Sequence, residues 1–359
     1  MLKPRAHLRN LAPYELPGKG TAGDSKLLQL SQNENYVDAS PNALAAARDA
    51  CAASVRYPDP DANELRAAIA ALHGLDPQRI VCARGAMELI SLLTTVFLEP
   101  GASAVTSQYG YMYFRTASEV TGARVVQAPE RSMTVDATAM AACVDQTTRM
   151  VFVANPGNPT GTLIPQSALI GLRRALPDSV VLVIDEAYAE FVEPERYTRC
   201  FELTESGDTV VLRTFSKIYG LAGLRIGWGY CPQQIADLLR VVQQPNGITG
   251  PGQAAAVAAI ADQTHIQRLR TRTLAIRDEF TQSLRTLGLN PCPSQGNFVL
   301  LALDSATAAV DADAHLRRHG IAVRGMNGYG LPNCLRITLG TEPQMERVVH
   351  TLKDWMGNR

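Results

Sequence analysis

A lysine inside a Ser- and Gly-rich turn is the strongest candidate for chemistry in this chain. It is Lys217, in the run Thr214-Phe215-Ser216-Lys217, with Gly220-Leu221-Ala222-Gly223-Leu224-Arg225-Ile226-Gly227 just beyond. Its surroundings are apolar, and burial near cationic groups lowers an ammonium pKa and frees the amine as a nucleophile. An ordinary solvated loop lysine is the competing reading. Asp185 is the second candidate, where the apolar run Val180–Ile184 passes into Asp185-Glu186-Ala187-Tyr188. An acid at the carboxyl end of a buried strand points into the ligand crevice of an open α/β sheet; a helix N-cap would look the same. The third candidate is Asn158, in Ala154-Asn155-Pro156-Gly157-Asn158-Pro159-Thr160-Gly161. Two Asn-Pro steps stiffen that turn and hold the amide fixed, although a plain tight loop needs the same residues. Singly these signals are weak. Jointly, three strand ends offer an amine, a carboxylate and an amide, and that is a site.

The elements that must position these groups alternate from Pro41 onward. Short β-branched runs are expected as strands at Ile80–Ala83, Ala104–Ser107, Arg124–Gln127, Met150–Ala154, Val180–Ile184, Thr209–Arg213 and Arg225–Tyr230. Most are apolar on both faces, as strands covered by helices on each side are. Helical periodicity fills the gaps, for example over Glu88–Phe97 and Gln166–Ala175. The pattern predicts a mostly parallel α/β sheet over roughly residues 40–245. Beyond it the texture changes. Long helices are expected over Pro251–Leu287, strands at Asn297–Leu303, Ile321–Arg324 and Leu335–Thr338, and helices over Ala306–Arg318 and Glu342–Trp355. This is a smaller α+β unit, with a cleft expected between the two.

Composition narrows the function classes. Lys+Arg and Asp+Glu both total 34 in 359 residues, so there is no net charge to draw nucleic acid or an anionic membrane. Any anion site must be local. The seven cysteines form no CxxC and have no histidine pair beside them at zinc spacing, so buried reduced thiols in a reducing compartment and no metal site are expected. No apolar run approaches a membrane span, and Met1–Gly20 lacks the apolar stretch of a signal peptide; a soluble cytoplasmic protein is the default. There is no G-x-x-x-x-G-K-[ST], and the glycines of Gly325–Gly330 do not follow a strand into a helix, which excludes a nucleotide-binding reading.

Ordered along the chain, a set of motifs resembles the fold-type-I pyridoxal-5′-phosphate (PLP) aminotransferases, and within them the histidinol-phosphate aminotransferase family. They are Leu11-Ala12-Pro13-Tyr14 with Pro17-Gly18-Lys19, Asn33-Glu34-Asn35, Arg56-Tyr57-Pro58-Asp59-Pro60, Gly85-Ala86-Met87-Glu88, the Asn-Pro-Gly-Asn-Pro-Thr-Gly turn, Asp185-Glu186-Ala187-Tyr188, Ser216-Lys217 and Cys334-Leu335-Arg336-Ile337-Thr338. The resemblance spans nearly the whole chain. It implies the fold-type-I transferase architecture: an N-terminal arm (1–35) packed with the small domain, a large PLP-binding domain (36–245) whose mostly parallel mixed sheet lies between helices, and a small α+β domain (246–359).

The resemblance also implies roles. Lys217 would anchor the PLP aldehyde and then carry the proton between the substrate Cα and the cofactor. Asp185 would pair with the pyridine nitrogen and keep it protonated. Asn158 and Tyr188 would hydrogen-bond the ring oxygen. The stacking aromatic would be Tyr109, with Tyr111 the runner-up, and Ser107 stands where relatives have proline. The cofactor phosphate would be met by the backbone of Ala86 and Met87 at a helix start, by Ser216 and Arg225, and by Tyr57 of a second subunit in a homodimer. Relatives often have an acid where this chain has Met87. Arg336 would take an anionic group of the substrate, with Arg324 and Tyr14 near its distal part, and Asn158 would also contact the substrate. The activity implied is transfer of an amino group from histidinol phosphate to 2-oxoglutarate. An aromatic amino acid aminotransferase and a decarboxylase of phosphorylated amino acids share the scaffold. A non-catalytic regulator of this fold would need a DNA-binding domain, for which there is no room before Pro41.

Overall fold

The β-branched runs become strands because their alternate residues bury against different helical layers. A computed structural model describes residues 3, 5–11 and 27–357. Its strands, in chain order, are β1 (Leu28–Gln29), β2 (Ile80–Ala83), β3 (Ser103–Ser107), β4 (Arg124–Ala128), β5 (Thr148–Ala154), β6 (Val181–Asp185), β7 (Thr209–Thr214), β8 (Gly227–Tyr230), β9 (Asn290–Pro291), β10 (Phe298–Ala302), β11 (Ile321–Ala322), β12 (Arg324–Met326) and β13 (Leu331–Thr338). The helices are α1 (Pro41–Ala50), α2 (Asn63–His73), α3 (Ala86–Phe97), α4 (Met112–Thr121), α5 (Ala137–Ala142), α6 (Gln166–Ala175), α7 (Gln233–Val242), α8 (Gly250–Ala261), α9 (Gln263–Thr286), α10 (Ala306–Arg318) and α11 (Glu342–Gly357).

Seven strands form one sheet in the order β2-β8-β7-β6-β5-β3-β4. All neighbours run parallel except β8, which is antiparallel to both β2 and β7. Val151, Val153, Leu182, Ile184 and Val211 point to one face, covered by α1, α2, α5, α6 and α8. Met150, Phe152, Val183, Val210 and Leu212 point to the other, covered by α3, α4 and α7. There Phe114 of α4 stacks on Phe152 of β5 with ring centroids 4.8 Å apart; deleting such a ring from a core costs roughly 3–5 kcal/mol. Helix α8 lies beyond the expected boundary at residue 245, yet it packs on α1 and α2 in the layer over the large sheet.

A second, antiparallel sheet has the order β12-β13-β10-β9. Val299, Leu301, Leu335 and Ile337 face α9, α10 and α11. The opposite face carries Phe298, Leu300, Cys334 and Arg336, alternating with them, and this face looks toward the large sheet. Three expected strands differ from the structure; the one expected at Leu335–Thr338 begins four residues earlier, at Leu331. The run Arg225–Tyr230 is strand only from Gly227, because Arg225 is left-handed (φ 54°). The run Ile321–Arg324 is split: Ile321–Ala322 pairs in parallel with β1, and Arg324–Met326 joins β13. Near the N-terminus, Ala6–Asn10 is a 3-10 turn lying against α4, with His7 Nε2 3.1 Å from the Val120 carbonyl oxygen. No described helix is long and apolar enough to cross a membrane.

Candidate active site

Parallel strands bring their following loops to one edge of the sheet. The register Ala154–Asp185–Leu212 sets the ends of β5, β6 and β7 side by side. The Asn155 N–H donates to the Asp185 carbonyl at 2.9 Å, and the Glu186 N–H donates to that of Leu212 at 2.9 Å. The loops after these strands carry Asn158, Tyr188 and Lys217. Asn155 closes the first loop with its side chain: Oδ1 accepts from the Ile164 N–H at 2.9 Å and Nδ2 donates to the Ile164 carbonyl at 3.0 Å.

Two adjacent acids end β6, and their surroundings separate them. Glu186 receives Arg213 Nε at 3.0 Å within a buried network that includes Glu190 and Tyr197. Asp185 is only 5% exposed, accepts the Ala187 N–H at 3.0 Å, and forms no salt bridge among the described residues. Burial therefore pushes its carboxyl up to about 6, and the neighbouring Glu186 charge works in the same direction. A carboxylate kept out of water with a backbone bond and no cation suits a cationic ring nitrogen.

Lys217 lies in the turn after β7. Its Nζ donates to the carbonyls of Gln32 (3.2 Å) and Asn33 (3.1 Å) and stands 5.6 Å from the Tyr188 ring centroid. Burial, followed by the charge of Arg336, lowers its ammonium to about 8; Glu34 and Asp185 oppose the shift. Tyr188 is buried edge-on to Phe298, with centroids 5.1 Å apart. Its oxygen accepts from Asn33 Nδ2 (2.9 Å) and Asn158 Nδ2 (3.5 Å). Burial pushes this phenol up to about 12, so it keeps its proton. Arg336 Nη1 donates to Asn158 Oδ1 at 2.6 Å and Nη2 donates to the Ser31 carbonyl at 2.9 Å, joining the small sheet to this cluster.

A cup for an anion forms where β8 crosses the start of α3. Ala86 and Met87 occupy the first turn of α3, whose N–H groups have no carbonyl four residues back to bond. Arg225 Nη1 donates to Ser216 Oγ at 3.4 Å. A Cβ on Gly85 would lie 2.7 Å from Arg225 Nη2, and one on Gly227 would lie 2.5 Å from the Ala86 nitrogen. Both glycines are thus required for the guanidinium and β8 to approach the helix start. A fixed cation, a hydroxyl and a helix N-terminus at one point fit a phosphate.

The remaining expected residues fall as follows. Tyr109 is half-buried against Leu300, Met326, Leu331 and Cys334 on the cleft face of the small sheet, its N–H donating to Glu130 Oε1 at 3.1 Å. Tyr111 instead packs into the α3–α4 layer, edge-on to Phe114 at 5.5 Å. Arg324 is buried and pairs directly across from Arg336 in the β12–β13 ladder, so both arginines share the cleft face. Tyr57 is 88% exposed and so is not packed into its own chain's site. Tyr14, with Pro13 and Pro17-Gly18-Lys19, lies outside the described residues. Sequence reasoning gave no role to Ser31–Asn35, whose carbonyls and Asn33 amide hold Arg336, Lys217 and Tyr188. One local signal is the left-handed backbone of Asn33 (φ 55°), which asparagine tolerates better than most residues.

A profile of the aminotransferase class I and II family matches residues 25–352. The chain is 43% identical over 361 residues to the histidinol-phosphate aminotransferase of Rhodospirillum rubrum, covering 99% of this chain and 97% of that protein. It is 42% identical over 356 residues to the histidinol-phosphate aminotransferase of Rhodospirillum centenum, with 98% of each covered. Among solved structures, it is similar to the crystal structure of histidinol-phosphate aminotransferase from Sinorhizobium meliloti in complex with pyridoxal-5′-phosphate. That likeness has a TM-score of 0.93 at 28% identity, covering 100% of this chain and 98% of the other.

Proposed function

Because this chain belongs to the class I and II aminotransferases and works with pyridoxal 5′-phosphate, we propose that it transfers the amino group of histidinol phosphate to 2-oxoglutarate, a step of histidine biosynthesis. The observation that carries the substrate is the pair Arg324 and Arg336, buried side by side on the cleft face of the small sheet. Like charges directly opposite in a ladder repel, and in a chain with no net charge nothing at long range rewards placing them there. A doubly charged phosphate beside them removes the repulsion and uses both guanidiniums; a lone α-carboxylate needs one.

Bound at this site, the cofactor supplies an electron-withdrawing ring that stabilises negative charge at the substrate Cα. The chain's residues do the rest. Asp185 holds a proton on the ring nitrogen. Lys217 would hold the cofactor's aldehyde through Nζ and would move the substrate's Cα proton. Tyr188 already accepts two amide hydrogens and so offers its own to the ring oxygen, which Asn158 also positions. Tyr109, on the cleft face, would pack against the ring. Ala86, Met87, Ser216 and Arg225 hold the phosphate, with Tyr57 reaching in from the partner of a cytoplasmic homodimer. The test compares kcat/KM for histidinol phosphate and phenylalanine in the parent and in Arg324→Ala. Loss of a charged hydrogen bond should cost histidinol phosphate roughly 1.5–3 kcal/mol and leave phenylalanine nearly unchanged. Equal losses, or a parent that prefers phenylalanine, would make this an aromatic aminotransferase.

A further inference from the structure

On the small sheet's outer side, away from the cleft, three side chains converge that the transamination chemistry does not use. His315 is in the last turn of α10, His319 caps that helix four residues on, and Asp354 lies on α11, which packs beside α10. Residues four apart stand one above the other on a helix, so the two imidazoles share a face. Their ring centroids are 4.4 Å apart. The ligand atoms of all three residues lie within 4.8 Å of one another.

Two features go beyond proximity. His315 is 8% exposed, and its Nε2, shielded from water, makes no hydrogen bond among the described residues. Asp354 Oδ2 is 3.2 Å from that nitrogen, within ion-pair reach but off the direction a hydrogen bond requires. His319 has the complementary arrangement: its Nδ1 is 2.9 Å from the His315 carbonyl oxygen. A carbonyl can only accept, so the proton is on Nδ1 and the lone pair is on Nε2. Metal-binding imidazoles are commonly oriented in this way, by a backbone carbonyl on the other ring nitrogen.

We propose that His315, His319 and Asp354 bind one Zn2+ ion, or another borderline divalent cation of the first transition row, and thereby clamp α10 to α11. The donor set of two imidazole nitrogens and one carboxylate oxygen favours such a cation over Mg2+ or Ca2+, which take oxygen sets. Zinc with ligands at about 2.0–2.1 Å in tetrahedral geometry spaces them about 3.3 Å apart. The His315–Asp354 edge is already at that spacing, and water completes the fourth position. Arg347, which donates to the His319 carbonyl, sets a positive charge beside the site that the Asp354 carboxylate offsets. Cysteine spacing, from which no metal was expected, has no bearing on this histidine pair.

The experiment uses the PLP-loaded protein, stripped of metal with a chelator and dialysed against micromolar Zn2+. Elemental analysis should find about one more zinc per chain in the parent than in His319→Ala, and zinc should raise the melting temperature of the parent only. Asp354→Asn should weaken zinc binding at least tenfold. His319 and Asp354 are both exposed, so neither replacement threatens the core. Cys51, the exposed thiol, is the rival ligand, and Cys51→Ser should keep its zinc. Equal zinc in parent and His319→Ala, or zinc lost with Cys51→Ser, overturns the proposal.

Discussion

The Lys217 amine is the group on which pH acts first. In the cofactor-free chain burial brings it down to about 8 from the ordinary 10.5. Between those two values the unfolded chain holds a proton that the folded chain has lost, so folded stability rises with pH across that window and levels beyond it. Reactivity follows the free amine. Capture of PLP by the cofactor-free protein, followed by absorbance, should quicken about tenfold per pH unit below 8 and flatten above. A rate still climbing through pH 10 would mean an unshifted lysine. Asp185 is displaced the opposite way, and in the proposed role the cofactor's ring nitrogen would supply the ion-pair partner it does not have among the described residues. Asp185→Asn should still bind PLP yet lose on the order of 10³-fold in kcat, about 4 kcal/mol; near-parent turnover would reduce the acid to a structural cap. The placement of these two residues and Asn158 at one edge of the sheet was legible in the sequence because each lies at, or within a short turn of, the end of an apolar strand. Asn33-Glu34-Asn35 stood out only as part of the resemblance, and the role of Ser31–Asn35 was not legible: much of its contribution is made by main-chain carbonyls, which no residue type announces, and their partners lie some 185 to 305 positions away.

At the scale of elements, the site depends on one strand running against the rest. By returning antiparallel between β2 and β7, β8 delivers Arg225 to the start of α3, and Gly227 lets the backbones meet. A methyl group there would press on the Ala86 nitrogen, which is backbone and cannot rotate aside. Gly227→Ala should therefore weaken PLP binding at least tenfold and lower the melting temperature, while an alanine at Gly223, with open space around it, should do neither. Equal behaviour of the two variants in a PLP titration would refute this. Most strands were readable from β-branched runs to within a residue or two. The misplaced ends are Arg225, the break after Ala322 and the start of β13, four residues ahead of the expected Leu335. The first is a left-handed residue inside an apolar run, and the second arises because Ile321–Ala322 pairs with a two-residue strand almost 300 positions earlier. Neither cause is local, so neither leaves a periodic trace.

For the molecule as a whole, Val55 and Tyr57 are each 88% exposed next to a proline-rich turn, as the proposed sharing of Tyr57 with a second copy of the chain would require. Light scattering should give a dimer. Mixing Lys217→Ala chains with Tyr57→Ala chains should restore activity to about a quarter of the sites, since half the dimers are hybrids and each holds one complete set. No recovery, with a monomer in solution, would refute shared sites. A different consequence follows from the way Ser31–Asn35 spans the cleft, holding Arg336 on one side and Lys217 on the other. If Lys217 anchors the cofactor as proposed, its nitrogen then has fewer hydrogens to donate and must release at least one of the Gln32 and Asn33 carbonyls. Linkage makes the exchange reciprocal: whatever seats β1 more firmly against β11 loosens the hold on the cofactor, and a loaded cofactor slackens the strap. Hydrogen exchange of the Leu28 and Leu30 amides, which donate to Gly320 and Ala322, would thus gauge cofactor occupancy from the far side of the cleft.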